Sequence, residues 1–298
     1  MLNYQILERV SQISLLGIRF WDPALDVQIL KGLRATLAPI ENVRQVRHAT
    51  RTASGVYAFN NIPGMLNFEN GIESTEVLSP PGSPSLSRTY LLEVEDSERR
   101  FTGVSLLIDL PLPYAGLFLV DDDAGSPSNT PKGFNLYSSI TRSTARQYTC
   151  VRGELINRVT GLPAAHALVR VQTEDEFSWF GIADEKGRFA IMLPYPFLSV
   201  SFGGSPPTVE GIRLSERTWN IQVSVMYDLL TQQFIRGALR PDYSSILSQN
   251  QALIYTQAPE TAAGEVAELQ AVLVYGRDLI VKTDGFSELY VGPTGSPA

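Results

Sequence analysis

The second half of this chain restates the first. Residues 22–37, ending in Leu33-Arg34-Ala35-Thr36-Leu37, lie over residues 157–172, ending in Leu168-Val169-Arg170-Val171-Gln172, at an offset of 135 without a gap. Thr52-Ala53-Ser54-Gly55-Val56-Tyr57-Ala58-Phe59, with Pro63 after it, matches Ala183-Asp184-Glu185-Lys186-Gly187-Arg188-Phe189-Ala190, with Pro194 after it, at 132. Arg88-Thr89-Tyr90-Leu91-Leu92-Glu93-Val94 matches Arg217-Thr218-Trp219-Asn220-Ile221-Gln222-Val223 at 129. Three blocks in one order, with offsets that drift by a few residues, describe one structural unit present twice.

That unit is built of strands. From Leu15 onward, short β-branched and aromatic runs are broken by Gly, Pro, Asn and Ser, and no strand alternates with a long helix, so a doubly wound parallel sheet is disfavoured. Gly55 and Gly187 stand where a tight turn needs positive φ, and Pro63 and Pro194 close the following strand by removing a ladder donor. These four are the fold-determining turn positions. The expectation is a mainly β protein of two tandem sandwiches. A short amphipathic helix, with Leu2, Ile6, Leu7, Val10 and Ile13 on one face, precedes them. The predicted division is 1–120 for the helix and first sandwich, 121–149 for a polar linker, 150–233 for the second sandwich and 234–298 for a β-rich C-terminal extension. Its strand-like pieces either complete the second sandwich or pair with a neighbouring subunit by strand addition.

Composition narrows the function. Lys+Arg 24 against Asp+Glu 31 gives a net charge of −7, which argues against a nucleic-acid partner. Only 18% of residues are charged, below the usual share, as fits a surface spent against other subunits. The longest apolar runs, 104–112 and 117–120, are too short to span a bilayer, and the N-terminus lacks the pattern of a signal peptide. The reading is a cytoplasmic protein, or one associated with a particle that is either membrane-anchored or released; direct membrane contact is open but not indicated.

Reactive groups are scarce. One cysteine, Cys150, excludes an intramolecular disulfide, and with two histidines, His48 and His166, a structural zinc site lacks ligands. No phosphate-cradling loop, nucleophile elbow or zinc-protease helix is present. Asp121 and Asp123, in the run Asp121-Asp122-Asp123, are a weak candidate Ca²⁺ pair, but the alternating ligands and terminal Glu of an EF-hand loop are missing. Glu174, Asp175 and Glu176 are neighbours in one strand or hairpin, would point to different faces and make a poor glycosidase pair. No cofactor is expected, and the chain is not read as an enzyme.

Arg152-Gly153-Glu154-Leu155-Ile156, Gly161-Leu162-Pro163-Ala164, Val169-Arg170-Val171 and Ala183-Asp184-Glu185-Lys186-Gly187-Arg188-Phe189 make the second unit resemble the carboxypeptidase-regulatory or transthyretin-like sandwich over about 80 residues. The resemblance implies an Ig-like sandwich and says little about function. Intradiol-type dioxygenases on such folds hold iron with two Tyr and two His, but His48 and His166 fall at non-equivalent positions of different units. The whole chain, with Phe20-Trp21-Asp22-Pro23, residues 52–64 and residues 148–196, is similar to accessory proteins of phage-tail-like contractile injection systems. That likeness implies a non-enzymatic subunit at the baseplate or cap, homo-oligomeric in the assembly and docked to sheath, tube, baseplate or cap proteins. The alternative is a carbohydrate- or cell-surface-binding module using Trp179, Phe180 and Tyr195.

Overall fold

The computed structural model describes residues 14–69, 87–112, 117–118, 132–145, 147–195, 208–209, 212–257 and 264–293. The helix expected over 2–13 lies outside them, as do Asp121 and Asp123.

The first unit contains β1 (Leu16–Ile18), β2 (Phe20–Asp22), β3 (Val27–Gln28), β4 (Leu33–Pro39), β5 (Arg47–His48), β6 (Thr50–Arg51), β7 (Tyr57–Phe59), α1 (Leu66–Glu69), β8 (Arg88–Asp96), β9 (Val104–Leu110), β10 (Leu117–Phe118) and β11 (Phe134–Asn135). The second contains β12 (Tyr148–Asn157), β13 (Leu168–Thr173), β14 (Ser178–Ile182), β15 (Arg188–Pro194), β16 (Thr208–Val209), β17 (Ile212–Arg213) and β18 (Thr218–Met226). It ends with α2 (Tyr243–Leu247), β19 (Ala252–Tyr255), β20 (Glu265–Val266), β21 (Leu269–Val274), β22 (Leu279–Ile280) and β23 (Leu289–Pro293).

Both units are β-sandwiches. In the first, the sheet β10-β1-β7-β6 faces β5-β4-β8-β9; in the second, β15-β12-β23-β19-β20 faces β14-β13-β18-β21. Side chains of alternate residues meet between the sheets, since strand periodicity turns every second residue to one face. Ile18 and Phe59 oppose Leu37, Tyr90 and Leu92 in one core; Val151, Phe189 and Ile191 oppose Val171, Val223 and Leu273 in the other. Full burial of an aliphatic or aromatic side chain of this kind stabilises the fold by about 1.5–3 kcal/mol.

The repeat is visible bond by bond. Asp22 Oδ1 accepts the N–H of Ala24 and Leu25, and Asn157 Oδ1 accepts those of Val159 and Thr160. Each side chain thereby closes its own turn, which is what short Asx carboxyls and amides do well. Asp26 (φ 54°) and Gly161 (φ 68°) then take the left-handed position of the two turns. Thr52 and Asp184 likewise accept from the glycine three residues on and from the residue after it, giving matched turns with Gly55 at φ 79° and Gly187 at φ 75°.

In one place the sequence comparison needs correction. The gapless alignment carries Leu37 onto Gln172, yet Leu37 pairs with Leu92 whereas Ile221, the counterpart of Leu92, pairs with Thr173. One extra residue therefore enters the second unit before β13. Without it, the buried Ala35 and Leu37 would correspond to the half-buried Arg170 and Gln172, because a one-residue slip exchanges the two faces of a strand.

The C-terminal strands complete the second sandwich. β22 and β23 run parallel to β12, while β19 and β21 add to opposite sheets. The first unit has the same parallel element in two pieces: Gly17 pairs with Leu117 and Trp21 with Asn135, as Arg152 pairs with Ile280 and Ile156 with Tyr290. The repeat thus extends through β23, and the described strands after residue 234 belong to the second sandwich rather than to a separate extension.

Candidate interaction surfaces

The turn residues perform local structural work. A Cβ at Gly187 would lie 2.3 Å from the Leu155 carbonyl oxygen, so the backbone itself closes that position. At Gly55 the nearest atoms are the ends of the Leu30 and Gln28 side chains. Pro63 offers its carbonyl to the Tyr90 hydroxyl at 2.6 Å, and Pro194 ends β15 opposite Tyr148.

The remaining polar candidates stay apart. His48 is exposed on β5, and His166 is buried before β13 with φ 60°. Burial pushes the His166 imidazole below its ordinary value; Glu185 and Asp184 oppose that shift and Arg240 adds to it. Burial also pushes the Cys150 thiol up to about 11. Glu174, Asp175 and Glu176 form the exposed β13–β14 turn, where Glu174 accepts from Asn220 Nδ2 at 2.6 Å. Among the described residues, no group of three His, Cys, Asp or Glu could hold a metal ion, and no helix is long and apolar enough to cross a membrane.

The proposed sugar-stacking set is divided by strand alternation. Trp179 packs on the second core, while its neighbour Phe180 packs on the first, its ring 6.4 Å from that of Tyr137. Tyr195 is grouped instead with Trp219 and Tyr275, with centroids 5.5 and 4.6 Å away. The Tyr195 hydroxyl accepts the Gly276 N–H at 2.8 Å, which fixes the cluster at one end of the second sandwich. All three rings are half-buried. Sequence reasoning missed this grouping because Tyr275 stands in the turn just past β21, whose partner strand was not identifiable from spacing.

Between the units lies a seam made by residues 227–251. Tyr243 and Ile246 of α2, with Leu168 and Ile182 from the second unit, belong to the first unit's core. A buried amide pair secures the segment: Gln232 Nε2 donates to Gln249 Oε1 at 2.9 Å, and Gln249 Nε2 donates to the His166 carbonyl at 2.9 Å. Asp242 Oδ1 accepts the Leu107 N–H at 3.0 Å and covers the outer edge of β9. On its solvent side the same segment leaves Leu229, Leu230, Phe234 and Leu239 exposed, Leu230 by 96%.

No family profile matches the chain, and no curated protein matches it. Among solved structures, a double-mutant form of shaft pilin SpaA from Lactobacillus rhamnosus GG is similar over 95% of this chain and 98% of that chain, at 8% identity and a TM-score of 0.23. A single-mutant form of the same pilin covers 97% of this chain and 100% of its own, at 7% identity and a TM-score of 0.24.

Proposed function

We propose that this chain is a non-enzymatic structural subunit of a contractile, phage-tail-like injection particle, placed at its baseplate or cap end. The seam supports the reading most directly: α2 and the outer face of the sheet β14-β13-β18 fill the first unit's core, which joins the two sandwiches into one body. A joined pair of sandwiches is a spacer that transmits position, and the exposed leucines and phenylalanine of 229–239 give it an apolar surface with which to dock. Sheath, tube, baseplate or cap proteins are the partners this reading assigns. Affinity purification of the tagged full chain from its native cells is expected to recover such subunits, and L230S/F234S is expected to lose them while leaving the fold intact. Recovery of the chain alone from cells that assemble such particles rejects the reading.

The Tyr195–Trp219–Tyr275 cluster supports a second reading, a carbohydrate- or cell-surface-binding module. Stacked rings at a sandwich end offer apolar faces to a pyranose. A glycan array and a cell-wall pull-down, each with W219A as control, distinguish it: binding that the variant abolishes supports it, and no binding removes it.

A further inference from the structure

The outer face of the sheet β5-β4-β8-β9 is apolar at one end. Strand register lines up Val46, Ala38, Leu91 and Leu107 across it, for Leu37 pairs with Arg47, Ala38 with Leu91 and Leu91 with Leu107. All four point away from the core, since Leu37, Leu92 and Leu106 point into it. The second unit supplies the comparison. Its matching row is Glu174, Asn220 and Val272, all exposed, with Asn220 donating to Glu174. One unit thus keeps water on this row, whereas in the other Ala38 and Leu91 are buried.

Residues 235–242 cover only part of the apolar row. A Cβ at Gly237 would lie 3.2 Å from Val43 Cγ2, and the Leu239 N–H donates to Glu93 Oε1 at 3.1 Å. Ile40, Val46 and Leu239 stay exposed around that segment. The described chain starts at the same end of the sandwich. Ser14 Oγ donates to the Phe59 carbonyl at 3.0 Å; two residues on, the Asn61 carbonyl accepts from Nε of Arg47, the neighbour of Val46, at 2.9 Å. Before Ser14 come Leu2, Ile6, Leu7, Val10 and Ile13 at helical spacing, a stripe that needs an apolar surface to lie on. As a helix, residues 2–13 span about 18 Å, and a four-strand row is about 15 Å wide. Residues 70–86, with Pro80, Pro81 and Pro84, hold no comparable stripe.

We propose that residues 2–13 fold back as a helix over the outer face of β5-β4-β8-β9, laying this stripe on Ile40, Val46 and Leu239. The tether at Ser14 favours the chain's own segment over one from a second copy, because a short linkage presents it at an effective concentration on the order of millimolar. The inference stands whether or not the particle reading does.

Hydrogen exchange on the purified full chain tests this. Amides of residues 2–13 are expected to exchange at least about tenfold more slowly than in a free peptide of residues 1–13, at every protein concentration. I40S/V46S is expected to abolish that protection while the β8 and β12 amides and Tm stay unchanged, because both side chains are exposed. In the reciprocal variant I6S/V10S, carbene labelling of Ile40, Val46 and Leu239 should rise. Unprotected 2–13 amides, protection that survives I40S/V46S, or labelling unmoved by I6S/V10S overturns the proposal. Protection that grows with protein concentration identifies a second copy as the source of the helix, and protection that needs phosphatidylglycerol vesicles identifies a membrane; either result overturns it as well.

Discussion

Individual residues carry the sharpest energetic consequences. Asp22 and Arg142 are both buried and ion-paired, with Arg142 Nη1 3.2 Å from Asp22 Oδ1 and 3.0 Å from Ser138 Oγ, and the guanidinium 4.8 Å from the Phe101 ring centroid. Removing one partner strands the other's charge, so R142A is expected to cost about 3–5 kcal/mol in urea unfolding. The double variant D22N/R142M should lose less than R142A alone. G187A is expected to destabilise more than G55A, since both incur about 1–2 kcal/mol for a left-handed Cβ but only Gly187 faces a backbone oxygen. Equal losses in the two variants would refute that account. His166 sets a pH dependence: its folded value is depressed, so the unfolded chain binds the extra proton first. The associated stability is full above about pH 6.5 and is lost as pH falls through the folded value. Tm measured from pH 7.5 to 5 should decline less for H166N, which keeps a residue type that accepts positive φ. Cys150, with its raised thiol, should resist a thiol reagent at pH 8 until the chain unfolds.

At the level of elements, the strands and turns were largely legible because their determinants are local. An Asx residue and a left-handed position each act within a few bonds, and both units carry them at matched places, whereas Pro63 stands beyond the end of β7 and does not close that strand as Pro194 ends β15. What stayed hidden depends on pairing across long stretches of chain. The slip before β13 preserves local pattern and shows only in which residues face Ile221 and Leu92. β22 and β23 are short, and their parallel pairing with β12 across more than a hundred residues leaves no periodic mark. The candidate surface suffered most: Trp179 and Phe180 are adjacent in sequence, and for that reason they point to opposite cores. N157A should cost about 1 kcal/mol, as the loss of one turn-closing side chain with two N–H partners.

For the whole molecule, the seam makes the two sandwiches interdependent. Calorimetry of the full chain should give one transition with equal calorimetric and van't Hoff enthalpies, whereas two resolved transitions would separate the units. A fragment ending at residue 149 lacks Leu168, Ile182, Tyr243 and Ile246 from its core and should bind a hydrophobic dye and aggregate. The position of α2 in the chain also imposes an order on synthesis. A ribosome that has finished β9 must still add more than a hundred residues before Tyr243 and Ile246 exist. At about 5–20 residues per second, the nascent first sandwich waits on the order of ten seconds with one wall of its core absent. Vectorial production therefore favours the second sandwich as the unit that finishes the first, and slows the moment at which either becomes resistant to proteases.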